Sequence, residues 1–181
     1  FTTTLSINST KFMKILHLGL CVQPPPINGL QKAFINNSTD YREISTSTPN
    51  FNQRVIEITK GFKPELVFMQ IQCEGIITVN TVKHLKDLEC YIINWNGDVR
   101  DETPKWMIDL APYVNSCFTN MRDVNFMRSL GFKSDWVDIG YDPEIYKPEG
   151  EIYTSVKPIV YFGNNTHSFP MSGFRNEMCD F

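Results

Sequence analysis

The chain has 181 residues, 41% of them hydrophobic and 13% aromatic, with a net charge of −3. This is the composition of a globular protein of one ordinary domain plus a further piece, not of a disordered chain. Lys and Arg are scattered singly among acids, which argues against a nucleic-acid stripe, and no apolar run approaches the ~18 residues of a membrane-spanning helix.

The first twelve residues, FTTTLSINSTKF, are polar and rich in Ser and Thr, and they lack the charged and apolar regions of a secretory signal. They read as a disordered leader, residues 1–12, ahead of a domain that opens at Met13. In that context the N-x-[ST] matches at Asn8, Asn37 and Asn164 read as chance, and the location expected is cytoplasmic. Cys21, Cys73, Cys90, Cys117 and Cys179 are odd in number and have no metal or redox spacing, so they read as reduced and mostly buried thiols.

From Met13 onward, short apolar runs alternate with helix-length amphipathic stretches, the pattern of parallel βαβ units. Residues 14–18 predict a buried strand, followed by a loop that contains Pro24, Pro25 and Pro26. The spacing then predicts a helix through about Asn36, a strand over 41–45, and a helix over 50–61 stopped at Gly61. ELVFMQ (65–70) is a continuous apolar run, as in a strand covered on both faces. A helix over 78–87 and a strand over 90–95 follow. Pro104 opens the next helix, where its missing N–H costs nothing. A strand over 114–119, a helix over 121–130 stopped by Gly131, and a strand over 134–139 complete the unit. The fold class expected is α/β, a Rossmann-like parallel sheet flanked by helices.

In such a sheet ligands bind beyond the carboxyl ends of the strands. This singles out NWNGDVRDETPKW (94–106), where Asn96, Asp98 and Arg100 offer polar and charged groups beside Trp95 and Trp106. The same residues are also ordinary turn and helix-start chemistry. In FTNMRDVNFMRSLGF (118–132), Asn120 is placed to cap a helix whose first amides could face an anion, and Arg122 stands in the first turn, where acids are usual. His17, on an apolar strand, reads as a core histidine satisfied by hydrogen bonds. His84 reads as a surface residue.

IGYDPEIYKP (139–148) and IVYFGN (159–164), following a strand and helix that end in LGF, resemble the glycosyltransferases of the GT-B fold, most closely the family 4-like and CgeB-like, group 1 type enzymes. Gly140, Asp142, Tyr146 and Pro148 carry the first motif, with Tyr146 where the family has Phe. The resemblance implies the first half of a two-domain architecture: an acceptor-side domain over 13–147, a linker over 148–157 and the start of a donor-side domain over 158–181. It implies transfer of a sugar from a nucleotide-sugar donor to an acceptor, which could be a glycan, lipid, protein or nucleobase. Asp98 would contact the transferred sugar as the catalytic candidate, and Gly19 would lie near donor phosphates or acceptor. Gly163 would let the second-domain loop approach the pyrophosphate. Asn96, Arg100, Asn120, Arg122, Asn164 and His167 complete the substrate-binding candidates.

The family's usual Arg and Lys after the second-domain Gly are replaced here by Asn164, Asn165, His167 and Arg175. No D-x-D motif occurs, so neither metal nor cofactor is expected. The alternatives are a non-catalytic Rossmann-like ligand-binding module and a nucleotide-sugar epimerase of the same fold. A nicotinamide-dependent oxidoreductase is disfavoured, because the loop after the first strand has prolines in place of G-x-G-x-x-G.

Overall fold

The computed structural model describes residues 13–19 and 29–140. The expected leader, the linker and donor-side segments, and with them Gly163, Asn164 and His167, lie outside the described residues. The elements run β1 (Met13–Gly19), α1 (Gly29–Asn36), β2 (Ser38–Ser45), α2 (Phe51–Phe62), β3 (Leu66–Met69), α3 (Val79–Asp87), β4 (Tyr91–Asn96), α4 (Lys105–Leu110), a 3₁₀ turn (Ala111–Tyr113), β5 (Asn115–Phe118), α5 (Met121–Ser129) and β6 (Ser134–Trp136). All six strands are parallel, in the order β2-β1-β3-β4-β5-β6. This is an α/β, Rossmann-like sheet.

Strand parity assigns each helix to a face. Leu16 and Leu18 of β1 join a core with Phe51 and Val55 of α2 and with Val82 and Leu85 of α3. Register carries that face across the sheet, from Leu18 to Met69, Met69 to Asn94, and Asn96 to Phe118. Phe118 in turn packs with Met107 of α4, Ala111, and Val124 and Met127 of α5. Helices α2 to α5 therefore share one face. Alternate β1 residues point the opposite way, and there the His17 ring meets Phe34 of α1 at 5.5 Å between centroids. Right-handed crossovers dictate this arrangement: only the β1-to-β2 step runs leftward, so only its helix lies on the other side.

Local chemistry sets the helix ends. Thr78 accepts a hydrogen bond from the Thr81 amide at the start of α3, and Asn120 does the same for Asp123 at the start of α5. Gly131, at φ +83°, ends α5 in the left-handed region, where glycine has no Cβ to clash. Helix α2 differs from expectation, for it passes Gly61 and stops at Lys63, whose φ of 51° lets its amide donate to the Thr59 carbonyl. The reason it continues lies in the packing: Phe62 is buried in the core and Arg42 lies 4.5 Å over its ring, so the extra residue is held by tertiary contact. Strand β2 begins earlier than periodicity predicts, at Ser38, because its polar first residues pair along the sheet edge with β1.

Leu85 is wholly buried between α3 and the sheet. Leu85→Ala should lower the unfolding free energy by about 2–5 kcal/mol, the range for a truncated core leucine. Urea denaturation of the two proteins checks this, and a loss under about 1 kcal/mol would contradict the packing described.

Candidate functional site

Two side-chain networks stand at the carboxyl edge of the sheet. The first ties the loops after β3, β4 and β5 together. The amide of Ile71 donates to Asn94 Oδ1 at 3.1 Å, and Gln72 Nε2 donates to the Trp95 carbonyl at 2.8 Å. Arg100 Nη2 donates to the Gln72 carbonyl at 2.8 Å and to Asp98 Oδ2 at 3.3 Å. Arg122 donates to the carbonyls of Arg100 and Asp101 and to Asp123 Oδ1. Asp123 is buried, and Thr103 Oγ1 and Asn120 Nδ2 also donate to its carboxylate. A buried carboxylate needs such donors, because desolvation would otherwise make its charge costly.

The candidates fall into different places within this network. Asp98 is exposed, with half its side-chain surface open, and its partner Arg100 is mostly covered. Asn120 caps α5, as its position predicts, and its side chain is occupied in doing so. Arg122, unusual in a helix's first turn, is explained by the two loop carbonyls it holds and by Asp123 beside it. Asn96 is in the strand rather than the loop; its side chain is shut from solvent, donates to the Asn94 carbonyl at 3.3 Å, and leaves Oδ1 without a hydrogen-bond partner. Residues that sequence reasoning passed over, Gln72, Thr103 and Asp123, hold the network together.

The tryptophans frame the same edge. A Cβ at Gly97 would lie 2.5 Å from the Trp95 ring, so the indole rests directly on the Gly97 backbone. Trp95 Nε1 donates to the Val137 carbonyl and Trp136 Nε1 to the Thr119 carbonyl, each at 3.2 Å. Trp106 instead lines a cleft of about 240 Å³ with Glu74, Ile77 and Asp109, on the α3–α4 side.

The second network lies between β1, β2 and β3 under α1. His17 is fully buried, with Nε2 at 2.8 Å from Gln70 Oε1 and Nδ1 at 2.9 Å from the Tyr41 hydroxyl. Tyr41 donates to Glu43 Oε2 at 2.8 Å, and Gln31 of α1 donates to the same oxygen. Phe34 and Phe68 close around the imidazole. Gly19 adjoins this cluster: a Cβ there would sit 2.8 Å from Gln70 Oε1 and 2.9 Å from His17 Nε2. The expected hydrogen-bonded core histidine is what the fold contains. Burial lowers its pKa from the ordinary 6.5, against weaker upward pulls from the Gln70 hydrogen bond and the Glu43 charge.

Cys90 and Cys117 are buried free thiols and Cys73 is exposed. Burial, with the Asp135 charge second, pushes the Cys117 thiol up to about 11. That makes Cys117 a poor nucleophile. Among the described residues no group of three His, Cys, Asp or Glu could hold a metal ion, and no helix is long and apolar enough to cross a membrane.

No protein-family model matches the sequence, and no curated protein matches it. Among solved structures, the chain is similar to a LuxR-family two-component response regulator from Aurantimonas sp. SI85-9A1, at 9% identity over 68% of this chain and 89% of that one, with a TM-score of 0.42. It is also similar to a dTDP-4-dehydrorhamnose reductase, an RfbD ortholog from Clostridium acetobutylicum, at 13% identity over 66% of this chain and 59% of that one, TM-score 0.41. The response regulator domain of Thermotoga maritima CheB is similar at 10% identity over 60% of this chain and 77% of that one, TM-score 0.37.

Two outcomes follow from these networks. His17 holds its proton less tightly when folded than when unfolded, so acidification favours the unfolded chain. Its contribution to stability is full above pH 6.5 and is lost as the pH falls from there to the lower folded midpoint. Between about pH 7 and 5 the wild type should therefore lose stability faster than His17→Gln, by up to ~1.4 kcal/mol per pH unit. Equal slopes in chemical denaturation would contradict this. Gly97→Ala should push the Trp95 indole off its seat, at a cost of about 1–3 kcal/mol for overpacking. An unaltered melting curve with unchanged Trp95 indole N–H resonance would show that the ring has room to spare.

Proposed function

We propose that this chain provides the acceptor-side domain of a GT-B-type glycosyltransferase, with the donor-side half beginning over 158–181. The observation that carries this reading is the character of the carboxyl edge. Val99, Met121, Trp136, Val137 and Ile139 are all exposed there, with Ile139 at 67% and Trp136 at 53%. Large apolar side chains gathered at the ligand-binding edge of a sheet suit a surface that faces another body. The chain leaves β6 through these residues into the Gly140–Pro148 motif that resembles the family, which supports a crossing to a second domain at this point.

Asp98 is the best-placed polar group for the transferred sugar in this reading. It is open to solvent, and Arg100 holds it from a loop that is itself pinned to β3. A carboxylate there could accept a hydrogen bond from a sugar or acceptor hydroxyl as charge develops at the reacting centre. Arg100, Asn120 and Arg122 would act by shaping the loop, since their polar atoms are engaged within the protein. No metal or cofactor enters the proposed reaction; the nucleotide sugar is the donor substrate. A non-catalytic ligand-binding module is the second reading, favoured by the fact that Asp98 already has a cationic partner in Arg100.

The test uses a protein containing both halves, incubated with a panel of nucleotide sugars while released nucleotide is measured. Asp98→Ala should reduce turnover by roughly 30- to 1000-fold, equivalent to about 2–4 kcal/mol of transition-state stabilisation, with unchanged melting temperature. A change of less than about threefold would remove Asp98 from the chemistry. Binding of a nucleotide sugar without any turnover would favour the module.

A further inference from the structure

The cleft of about 240 Å³ on the α3–α4 side belongs to neither network, and the residues that line it are all described. Ile77 and Leu110 give it an apolar floor, for both are buried in the core that holds Val82 and Leu85. Trp106 packs against both hydrophobic clusters, so core contacts anchor its indole. The loop that supplies Ile77 is fixed by Asn52 of α2. Its Nδ2 donates to the Ile76 carbonyl at 3.1 Å, and its Oδ1 accepts from the Thr78 amide at 2.9 Å. These bonds flank Ile77 on either side, and a ligand would meet a cleft already shaped.

Two carboxylates line the cleft, Glu74 from the loop after β3 and Asp109 from α4, and no cationic side chain does. Glu74 is exposed and has no hydrogen-bond or ion-pair partner among the described residues. Asp109 pairs at 2.6 Å with Lys105 one turn earlier, but both side chains are open to water, where such a pair holds weakly. Negative charge beside an aromatic and apolar surface favours a cation. A metal ion is a poor fit, since among the described residues no group of three His, Cys, Asp or Glu could hold one. A primary ammonium brings three donors, whereas the only polar side chains in the lining are the two carboxylates. An alkylated ammonium presents methyl groups that need no acceptor, and its charge is attracted to the face of an indole.

We propose that this cleft binds an alkylated ammonium group, its charge met by the Glu74 and Asp109 carboxylates and its methyl groups by Trp106, Ile77 and Leu110. A volume of about 240 Å³ is below the roughly 300–1,000 Å³ of pockets that take drug-sized ligands, so the occupant is a small group. The cleft neighbours the Asp98 loop, because the segment after β3 that carries Glu74 also carries Gln72, which Arg100 holds. It shares no residue with that network, so the cation site stands or falls independently of sugar transfer.

The probe is choline, and the control is its neutral carbon isostere, 3,3-dimethylbutan-1-ol. Each is titrated at constant ionic strength into the whole ¹⁵N-labelled chain while the Trp106 indole N–H resonance is followed. That signal is identified by its loss in Trp106→Phe, or by sequential assignment of the wild type if the variant does not fold. Choline should move it saturably, with a dissociation constant on the order of millimolar, and the isostere should bind at least about tenfold more weakly. Glu74→Gln, a change at an exposed loop position, should weaken choline about two- to fivefold and leave the isostere unaffected. If choline leaves the resonance unmoved up to about 100 mM, if the isostere binds as well as choline, or if Glu74→Gln binds choline like the wild type, the cleft is not a cation site.

Discussion

Because parallel neighbours are joined by right-handed crossovers, the strand order β2-β1-β3-β4-β5-β6 places α1 alone on one face and α2 to α5 on the other. Two different interiors result. The four-helix face is sealed by apolar side chains, with Leu16, Leu18, Val67 and Met69 of the central strands fully buried. The single-helix face is closed over β1 by α1 and holds a mixed cluster of aromatics and hydrogen-bonded polar groups. A histidine inside such a cluster is stable only while every ring nitrogen has a partner, so β2 and the first residue beyond β3 each supply one.

The same constraint explains why the loops on one side of the carboxyl edge are tied to one another. Successive rightward crossovers after β3 deliver three loops, those leaving β3, β4 and β5, side by side. Their unpaired carbonyls are then within reach of Arg100 and Arg122, whose planar guanidinium groups hold several oxygens each. Arginine suits this task better than lysine, since its donors are fixed in a fork and it cannot lose its charge. The carboxylates that balance these cations, Asp98 and Asp123, differ in access: Asp98 is open, whereas Asp123 is buried beneath Thr103, Asn120 and Arg122. Only the open one can meet a ligand without dismantling the loops.

What could be read in the sequence divides along the range of the interactions. Element type follows from local periodicity, and among the described residues the six strands and five α-helices stand where that periodicity puts them, within a few residues. The Asn120 cap and the Gly131 stop were equally legible, because both act within one helical turn. Gly61 misleads as a stop signal since Phe62, its neighbour, is drawn into the core by partners from other strands. Asn96 reads as a loop residue because Asn-Gly is turn chemistry, yet the strand extends to include it. The His17 partners lie 24 and 53 residues away in sequence, so burial of His17 was readable while the identity of its partners was not.

The two networks also differ in how far their partners are committed to one role. Around the Asp123 carboxylate the donors are a threonine hydroxyl, an asparagine NH₂ and an arginine. The arginine can only donate, and the asparagine is committed, because its oxygen accepts the Asp123 amide while its NH₂ holds the carboxylate. Around His17 the partners are a phenol and a carboxamide, each able to present either a donor or an acceptor from the same position. The donor and acceptor roles at the first site are therefore fixed by the chemistry of its partners. At the second, either partner could serve as donor or acceptor from its place, so the chemistry of the side chains leaves more choice around His17 than in the loops that Arg100 and Arg122 hold.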